Sequence, residues 1–147
     1  MPGITVPGMA DTDNAPISIL NRDLILGAHD RVRELVAVPE WGGSVFVRSI
    51  SGAERDAWEL SITGSKTGNT QLNLKNLRAR LIVLAACDAE FRPIFNEGDV
   101  RALGDRNAKA LQRVFEVAQR LAGMTKADVE ELSGNSNGES NDDSISD

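Results

Sequence analysis

The sequence predicts an α+β fold in which a β-hairpin packs on a small, helix-dominated domain of four to five helices with disordered tails. Two runs rich in β-branched residues flank a Gly-Gly pair at residues 42–43, the pattern of a hairpin. Helix-capping residues then precede several amphipathic segments. Strands and helices do not alternate, which argues against a parallel α/β sheet. A length of 147 residues suits one domain.

Composition divides the chain into a flexible lead at residues 1–16, a folded domain at residues 17–132 and a disordered acidic tail at residues 133–147. The lead contains three prolines and little hydrophobic periodicity. The only large hydrophobic residue of the tail is Ile145. Such a tail cannot bury enough apolar area to offset the conformational entropy of its backbone, so we expect it to be disordered.

The net charge of −6 lies in the two ends of the chain. All 16 Lys and Arg residues, and 16 of the 22 acids, fall within residues 22–132. The remaining acids are Asp11, Asp13, Glu139, Asp142, Asp143 and Asp147. The predicted domain therefore has no excess of positive charge to attract nucleic acid or a membrane surface. Aromatic residues make up only 4% and none is tyrosine, which also disfavours base stacking.

No apolar run is long enough to cross a membrane, and the first ten residues lack the basic and apolar regions of a signal peptide. A single cysteine excludes an intramolecular disulfide and suits a reducing compartment. We therefore expect an intracellular protein.

The first half of the domain begins with Asn21, which caps a predicted helix at residues 22–28. Strands are predicted at residues 31–38 and 44–50, with Pro39 ending the first. Their predicted inward face consists of Val36, Val38, Val45 and Val47. The motif Ser51-Gly-Ala-Glu54 is a capping box, followed by a helix to about Ile62. Its predicted buried stripe is Ala53, Ala57 and Leu60, and Trp58, which flanks this stripe, is expected to be in the core.

The second half opens with a polar loop at residues 63–73. Asn76 is predicted to cap a helix at residues 77–87, which is apolar nearly all round and so should be central. Residues 91–95 form an extended link, and Asn96 caps a two-turn helix at residues 97–103 that Gly104 ends. The strongest amphipathic helix is predicted from an Asp105 cap to Ala122, and a last helix from a Thr125 cap over residues 126–132. The buried stripe of the strongest helix is predicted as Leu111, Val114, Phe115, Ala118, Leu121 and Ala122.

The sequence contains no catalytic, cofactor-binding or metal-binding motif. Cys87 and His29 are the only available nucleophile and base, but Cys87 lies in an apolar helical pattern, where free cysteine is usually a small buried hydrophobe. One cysteine and one histidine cannot form a zinc site of the Cys/His type. The string Asp11-Thr-Asp-Asn14 lacks the glycine and glutamate of a calcium loop, and Gly64-Ser-Lys-Thr67 lacks the glycines of a phosphate loop. We predict that the chain is not an enzyme and uses no cofactor.

Trp41 is the one candidate site residue, as a partner-binding side chain. It lies at the predicted hairpin tip, where turn geometry does not require a large aromatic. Two interpretations remain open. The ring folds back as a lid on the core, or it anchors a partner, since tryptophan is enriched in interface hot spots.

Several strings together resemble the tail assembly chaperones of long-tailed, siphovirus-type bacteriophages. The first are Val36-Ala-Val-Pro-Glu-Trp-Gly-Gly43, Val45-Phe-Val-Arg48 and Ser51-Gly-Ala-Glu-Arg-Asp56. Further along are Arg78-Ala-Arg-Leu81, Asp99-Val-Arg-Ala-Leu-Gly104, Leu111-Gln-Arg-Val-Phe115, Leu121-Ala-Gly123 and Asp128-Val-Glu-Glu-Leu132. The resemblance covers about residues 19–133. It departs from the family pattern at His29, where an acid is expected, and in the unusually polar loop at residues 63–73.

The resemblance implies a protein that acts in the host cytoplasm, binds the tape measure protein and helps tail-tube protein polymerise around it. It implies absence from the mature virion, and in many such phages a ribosomal frameshift yields a longer product. Homo-oligomerisation is possible, and no membrane or nucleic-acid partner is expected. Two alternatives remain. One is a structural tail or connector component retained in the particle. The other is a small DNA-binding regulator using the helix at residues 105–122, which lacks an accompanying basic patch.

Overall fold

The computed structural model describes residues 18–64 and 72–134. The predicted lead at residues 1–16, most of the predicted polar loop and nearly all of the predicted tail lie outside these ranges. The chain folds as two compact units, with the boundary between Asp30 and Arg31.

In the first unit, helix α1 spans Arg22–Leu26, two residues shorter than predicted. The Asn21 side chain accepts the Leu24 N–H at 2.9 Å, which confirms the predicted cap.

The second unit contains a three-stranded sheet and five α-helices within the described residues, in agreement with the predicted α+β class. Its elements, in chain order, are β1 Arg33–Val38, a 3-10 turn Pro39–Trp41, β2 Gly43–Arg48, α2 Gly52–Thr63, α3 Leu77–Ala85, β3 Ala86–Cys87, a 3-10 turn Glu97–Asp99, α4 Val100–Gly104, α5 Ala108–Leu121 and α6 Lys126–Leu132.

The predicted hairpin is confirmed. Strands β1 and β2 pair antiparallel, with Arg33 opposite Arg48. The first strand ends immediately before Pro39, and Gly42 adopts a left-handed φ of 77° that allows the chain to turn back. The predicted inward face is also confirmed, since Val36, Val38 and Val47 are buried and Val45 is half-buried against the core.

The helix predicted at residues 77–87 is too long, because α3 ends at Ala85 and the next two residues form β3. This strand pairs antiparallel with β2, with Phe46 opposite Cys87 and Val47 opposite Ala86. The pairing satisfies backbone groups of a buried strand, and such groups are costly to leave unpaired. The hydrophobic pattern of residues 77–87 cannot show that the last two of them must pair with β2. The prediction that this helix is central and buried is confirmed, since Leu81, Ile82 and Ala85 are almost fully enclosed.

The capping box before α2 is confirmed, but the predicted buried stripe of that helix is wrong. Ser51 Oγ accepts the Glu54 N–H at 3.0 Å, and Glu54 accepts the Ser51 N–H at 2.8 Å. Ala53, Ala57 and Leu60 are exposed, and the core side is formed by Trp58 and Ile62. These two residues are four apart and bury far more apolar area than two alanines, so they determine which side of the helix faces inward.

Two residues predicted to cap helices, Asn76 and Asp105, do not do so. Asn76 precedes α3 as predicted, but its side chain makes no capping bond, and its φ of 55° places it in the left-handed region that asparagine tolerates. Asp105 terminates α4 instead of starting α5. The cap of α5 is Asn107, whose side chain accepts the N–H groups of Lys109 and Ala110. The predicted buried stripe of α5 is confirmed from Leu111 to Ala118, and Leu121 and Ala122 are half-buried.

The two remaining caps occur as predicted. Asn96 forms a capping box with Asp99, although the first turn behind it is 3-10 and α4 follows only from Val100. Thr125 and Asp128 form a capping box at the start of α6.

A buried arginine joins the sheet to two helices. The side chain of Arg48, 9% exposed, donates from Nη2 to Glu54 Oε2 at 3.0 Å. Its Nε and Nη2 also donate to the Leu84 carbonyl at 3.1 and 2.8 Å. Burial alone raises the pKa of Glu54, but the Ser51 N–H and the charges of Arg48 and Arg31 outweigh it, so the pKa lies below its usual value. Arg48 thus connects the end of β2, the start of α2 and the end of α3.

We expect Arg48→Met to destabilise the fold by on the order of 2–3 kcal/mol, because it leaves the Leu84 carbonyl without its charged donor and Glu54 with Arg31 as its remaining ion-pair partner. Chemical denaturation followed by circular dichroism measures this change. Arg92→Met is the matched control, because the Arg92 side chain is 70% exposed in its pairs with Asp88 and Glu90. The control should leave the unfolding midpoint nearly unchanged. Equal losses from the two variants would contradict the role assigned to Arg48.

Candidate partner-binding surface

Trp41 lines an apolar groove on the second unit, which we call the Trp41 groove. The groove has a volume of about 520 Å³, and its apolar lining is Trp41, Ile94, Phe95, Ala102 and Leu103. Two charged residues, Asp99 and Arg106, also line it. Ile94 is 49% exposed, so the groove presents a large aliphatic side chain to solvent. This combination of an aromatic, an aliphatic and a few charged groups suits the apolar face of a partner helix.

The turn that carries Trp41 is held against α5 by an ion pair. Arg113 Nε lies 2.9 Å from Glu40 Oε1, and Arg113 Nη2 lies 3.0 Å from Glu40 Oε2. Paired contacts of this kind fix orientation as well as distance. Because Glu40 directly precedes Trp41, the ion pair holds the part of the turn from which the indole projects.

A second ion pair ties the same helix to β1. Arg120 Nη2 lies 2.8 Å from Glu34 Oε2. Within the helix, Glu116 accepts a hydrogen bond from the Gln112 side-chain amide at 2.9 Å. Strand β1 lies close enough to offer the Glu34 carboxylate to Arg120, and a pattern within one helix cannot reveal that neighbour.

Glu40 has a lowered pKa. The main cause is the hydrogen bond from Arg113, reinforced by a backbone N–H and by the charges of Arg113 and Lys109. A carboxyl group with a depressed pKa is charged at every pH above its ordinary pKa. It loses its ion pair only as the pH falls through the depressed pKa. The contact between the turn and α5 therefore persists throughout the neutral range.

Both interpretations of Trp41 fit its position. The side chain is half-buried and packs against the core, as a lid does. It also lines the Trp41 groove, as an anchor does. Sequence reasoning missed Ile94, Phe95 and Leu103 as neighbours of Trp41. The apolar residues of the predicted link at residues 91–95 were a signal, because an exposed link does not need three large hydrophobes.

The other sequence candidates are Cys87 and His29. Cys87 is buried in β3, and burial raises the pKa of its thiol, which makes it a weaker nucleophile near neutral pH. His29 is exposed in the first unit. Within residues 18–64 and 72–134, no cluster of three or more His, Cys, Asp or Glu side chains is arranged to hold a metal ion. Among the same residues, no helix is both long and apolar enough to span a bilayer.

Comparison with protein families shows the family to which the chain belongs. The family model described as phage tail assembly chaperone matches residues 21–135, which is most of the sequence. The chain belongs to this family. The match includes the hairpin, all five helices of the second unit and the residues of the Trp41 groove.

A solved structure is similar to this tail assembly chaperone family member. It is the tail assembly chaperone of bacteriophage HK97, at 20% identity and a TM-score of 0.49. The similarity covers 67% of this chain and 94% of the HK97 chain. No curated protein matches this chain.

We expect Glu40→Gln to shift tryptophan fluorescence emission to the red at pH 7, because Trp41 becomes less restrained and more hydrated. Trp58 is only 1% exposed and provides a constant background. In the unsubstituted chain, emission should hold from pH 7 to 4.5, the ordinary value for this carboxyl, and shift only as the pH falls further.

Glu90→Gln is the matched control, since Glu90 pairs with Arg92 on the surface and does not line the Trp41 groove. Its emission spectrum should match that of the unsubstituted chain. Identical emission from Glu40→Gln and the unsubstituted chain at pH 7 would show that the ion pair does not restrain Trp41.

Proposed function

We propose that this family member is a non-enzymatic chaperone that binds the tape measure protein in the host cytoplasm and promotes tail-tube assembly. It leaves before the virion is complete and requires neither a cofactor nor ATP. The proposal rests on membership of the phage tail assembly chaperone family and on the resemblance described above. The observation that carries it is the Trp41 groove, an apolar surface restrained by an ion pair.

The groove has the properties required to protect an amphipathic helix. A tape measure protein is expected to expose long helices with an apolar face, and such faces self-associate in water. Trp41, Ile94 and Leu103 offer apolar area to one such face, and Asp99 and Arg106 offer charged contacts beside it. Tail-tube protein would then displace the chaperone by competing for the same helices. A longer product made by ribosomal frameshifting belongs to the same proposal.

We expect Ile94→Asp to abolish co-purification of the chaperone with the tape measure protein of the same phage, because it places a charge in the apolar groove. Trp41→Ala should weaken co-purification and reduce the soluble fraction of the tape measure protein. The assay is co-expression followed by affinity pull-down and measurement of that soluble fraction. Thermal unfolding of each isolated variant separates loss of binding from loss of folding.

Leu60→Asp is the matched control. Leu60 is 54% exposed, close to the 49% of Ile94, but it lies on α2 and does not line the groove. It should bind as the unsubstituted chain does. No association of the unsubstituted chain, with the tape measure protein equally soluble alone, would overturn the proposed function.

Mass spectrometry of purified virions distinguishes the chaperone from a retained structural component. We expect tail-tube and tape measure peptides without peptides of this chain. Stoichiometric recovery of this chain from purified particles would instead favour the structural alternative.

A further inference from the structure

A second groove, which we call the basic groove, lies between the start of α3 and the start of α5. Its volume is about 600 Å³. Apolar side chains from both helices and the preceding link line it, namely Leu74, Leu77, Ala79, Ala108 and Leu111. Three cations also line it, namely Arg78, Arg106 and Lys109, and no carboxylate of the described residues does. The basic groove thus combines an apolar floor with an excess of positive charge.

The cations of the basic groove differ from the other arginines of α5. Arg113 and Arg120 are each paired with a glutamate of the hairpin. Among residues 18–64 and 72–134, no carboxylate lies within 4.0 Å of Arg106 or Lys109, although the charge of Lys109 acts on Glu40 from a greater distance. Arg78 donates from Nε to the Gln112 side-chain oxygen at 2.6 Å, a neutral partner. Three cations around one apolar floor are complementary to an acidic segment that carries a hydrophobic residue.

The acidic C-terminal segment of this chain leaves the domain close to the basic groove. Helix α6 ends at Leu132, and a Cβ built on Gly134 would lie 2.8 Å from Leu72 Cδ1. Leu72 is two residues before Leu74, which lines the groove. At about 3.3–3.6 Å per extended residue, residues 135–147 can span roughly 40 Å. The groove is therefore adjacent to the point from which this segment starts.

The composition of residues 135–147 matches the groove. Its acids are Glu139, Asp142, Asp143 and Asp147, and its single large hydrophobe is Ile145. We propose that this C-terminal segment binds in the basic groove of its own chain. Ile145 contacts the apolar floor, and the flanking carboxylates pair with Arg78, Arg106 and Lys109. This contact does not rest on the function proposed for the Trp41 groove, although Arg106 lines both grooves.

Paramagnetic relaxation in the full-length chain tests this contact. A nitroxide is attached to Ser146→Cys, and amide signals are recorded from the same isotopically labelled molecules. Native Cys87 is 3% exposed and is not expected to react, which mass spectrometry of the labelled chain verifies. We expect broadening of the amide signals of Ala79, Ala108 and Leu111. Added salt should reduce it, because the contact is between solvent-exposed charges.

The charge variant is Arg106→Gln combined with Lys109→Gln. Removing two of the three cations should lower groove occupancy roughly tenfold and largely abolish the broadening. The matched control is Arg92→Gln combined with Lys126→Gln, which removes the same net charge from exposed positions outside the groove. The control should keep the broadening. Equal loss in both variants would show a general charge effect and overturn the assignment to this groove.

A mixed sample determines which molecule supplies the segment. Isotopically labelled chains without nitroxide are combined with unlabelled chains that carry it. No broadening in this mixture, with groove broadening in the single-species sample, supports binding within one chain. Groove broadening in the mixture would place the segment on a second copy and overturn the proposal, as would the absence of groove broadening in either sample.

Discussion

The structure depends on the position of one buried guanidinium. Arg48 is among the last residues of β2, yet it satisfies the carboxylate that caps α2 and the carbonyl of Leu84 in the last turn of α3. A buried arginine is costly unless each of its contacts is supplied, so the sheet and the two helices can occupy only an arrangement that supplies them. Val47, directly before it, is fully enclosed in the core. The hairpin is thereby fixed at its base by polar contacts and along its length by apolar packing.

The opposite end of the hairpin carries the candidate site. There the ion pair between Glu40 and Arg113 holds the turn against α5, and Trp41 lines a groove completed by the link before α4. The pair is more exposed than the contacts at the base, so it orients the turn more than it stabilises the fold. The chain thus presents an apolar surface on a restrained support, and a helix that binds there does not have to order the turn first.

Much of this fold follows from local sequence patterns. The hairpin with its inward valines, the capping boxes at Ser51 and Thr125, and the buried side of α5 were predictable because each depends on neighbours in the sequence. The errors occur where a distant element decides the outcome. Strand β3 exists because β2 offers an edge, and α2 turns toward the core the side that carries Trp58. Trp41 was identifiable as unusual, but Ile94 and Leu103 meet it only through tertiary contacts.

We propose that the Trp41 groove contacts the tape measure protein. Replacement of Trp41 by the photoreactive residue p-benzoylphenylalanine, followed by irradiation of the co-expressed pair, tests it directly. If the groove binds the tape measure protein, we expect a cross-link from position 41 to that protein and none when the same photoreactive residue is placed at position 60. Cross-linking from position 60 with none from position 41, in a complex that still forms, would contradict it.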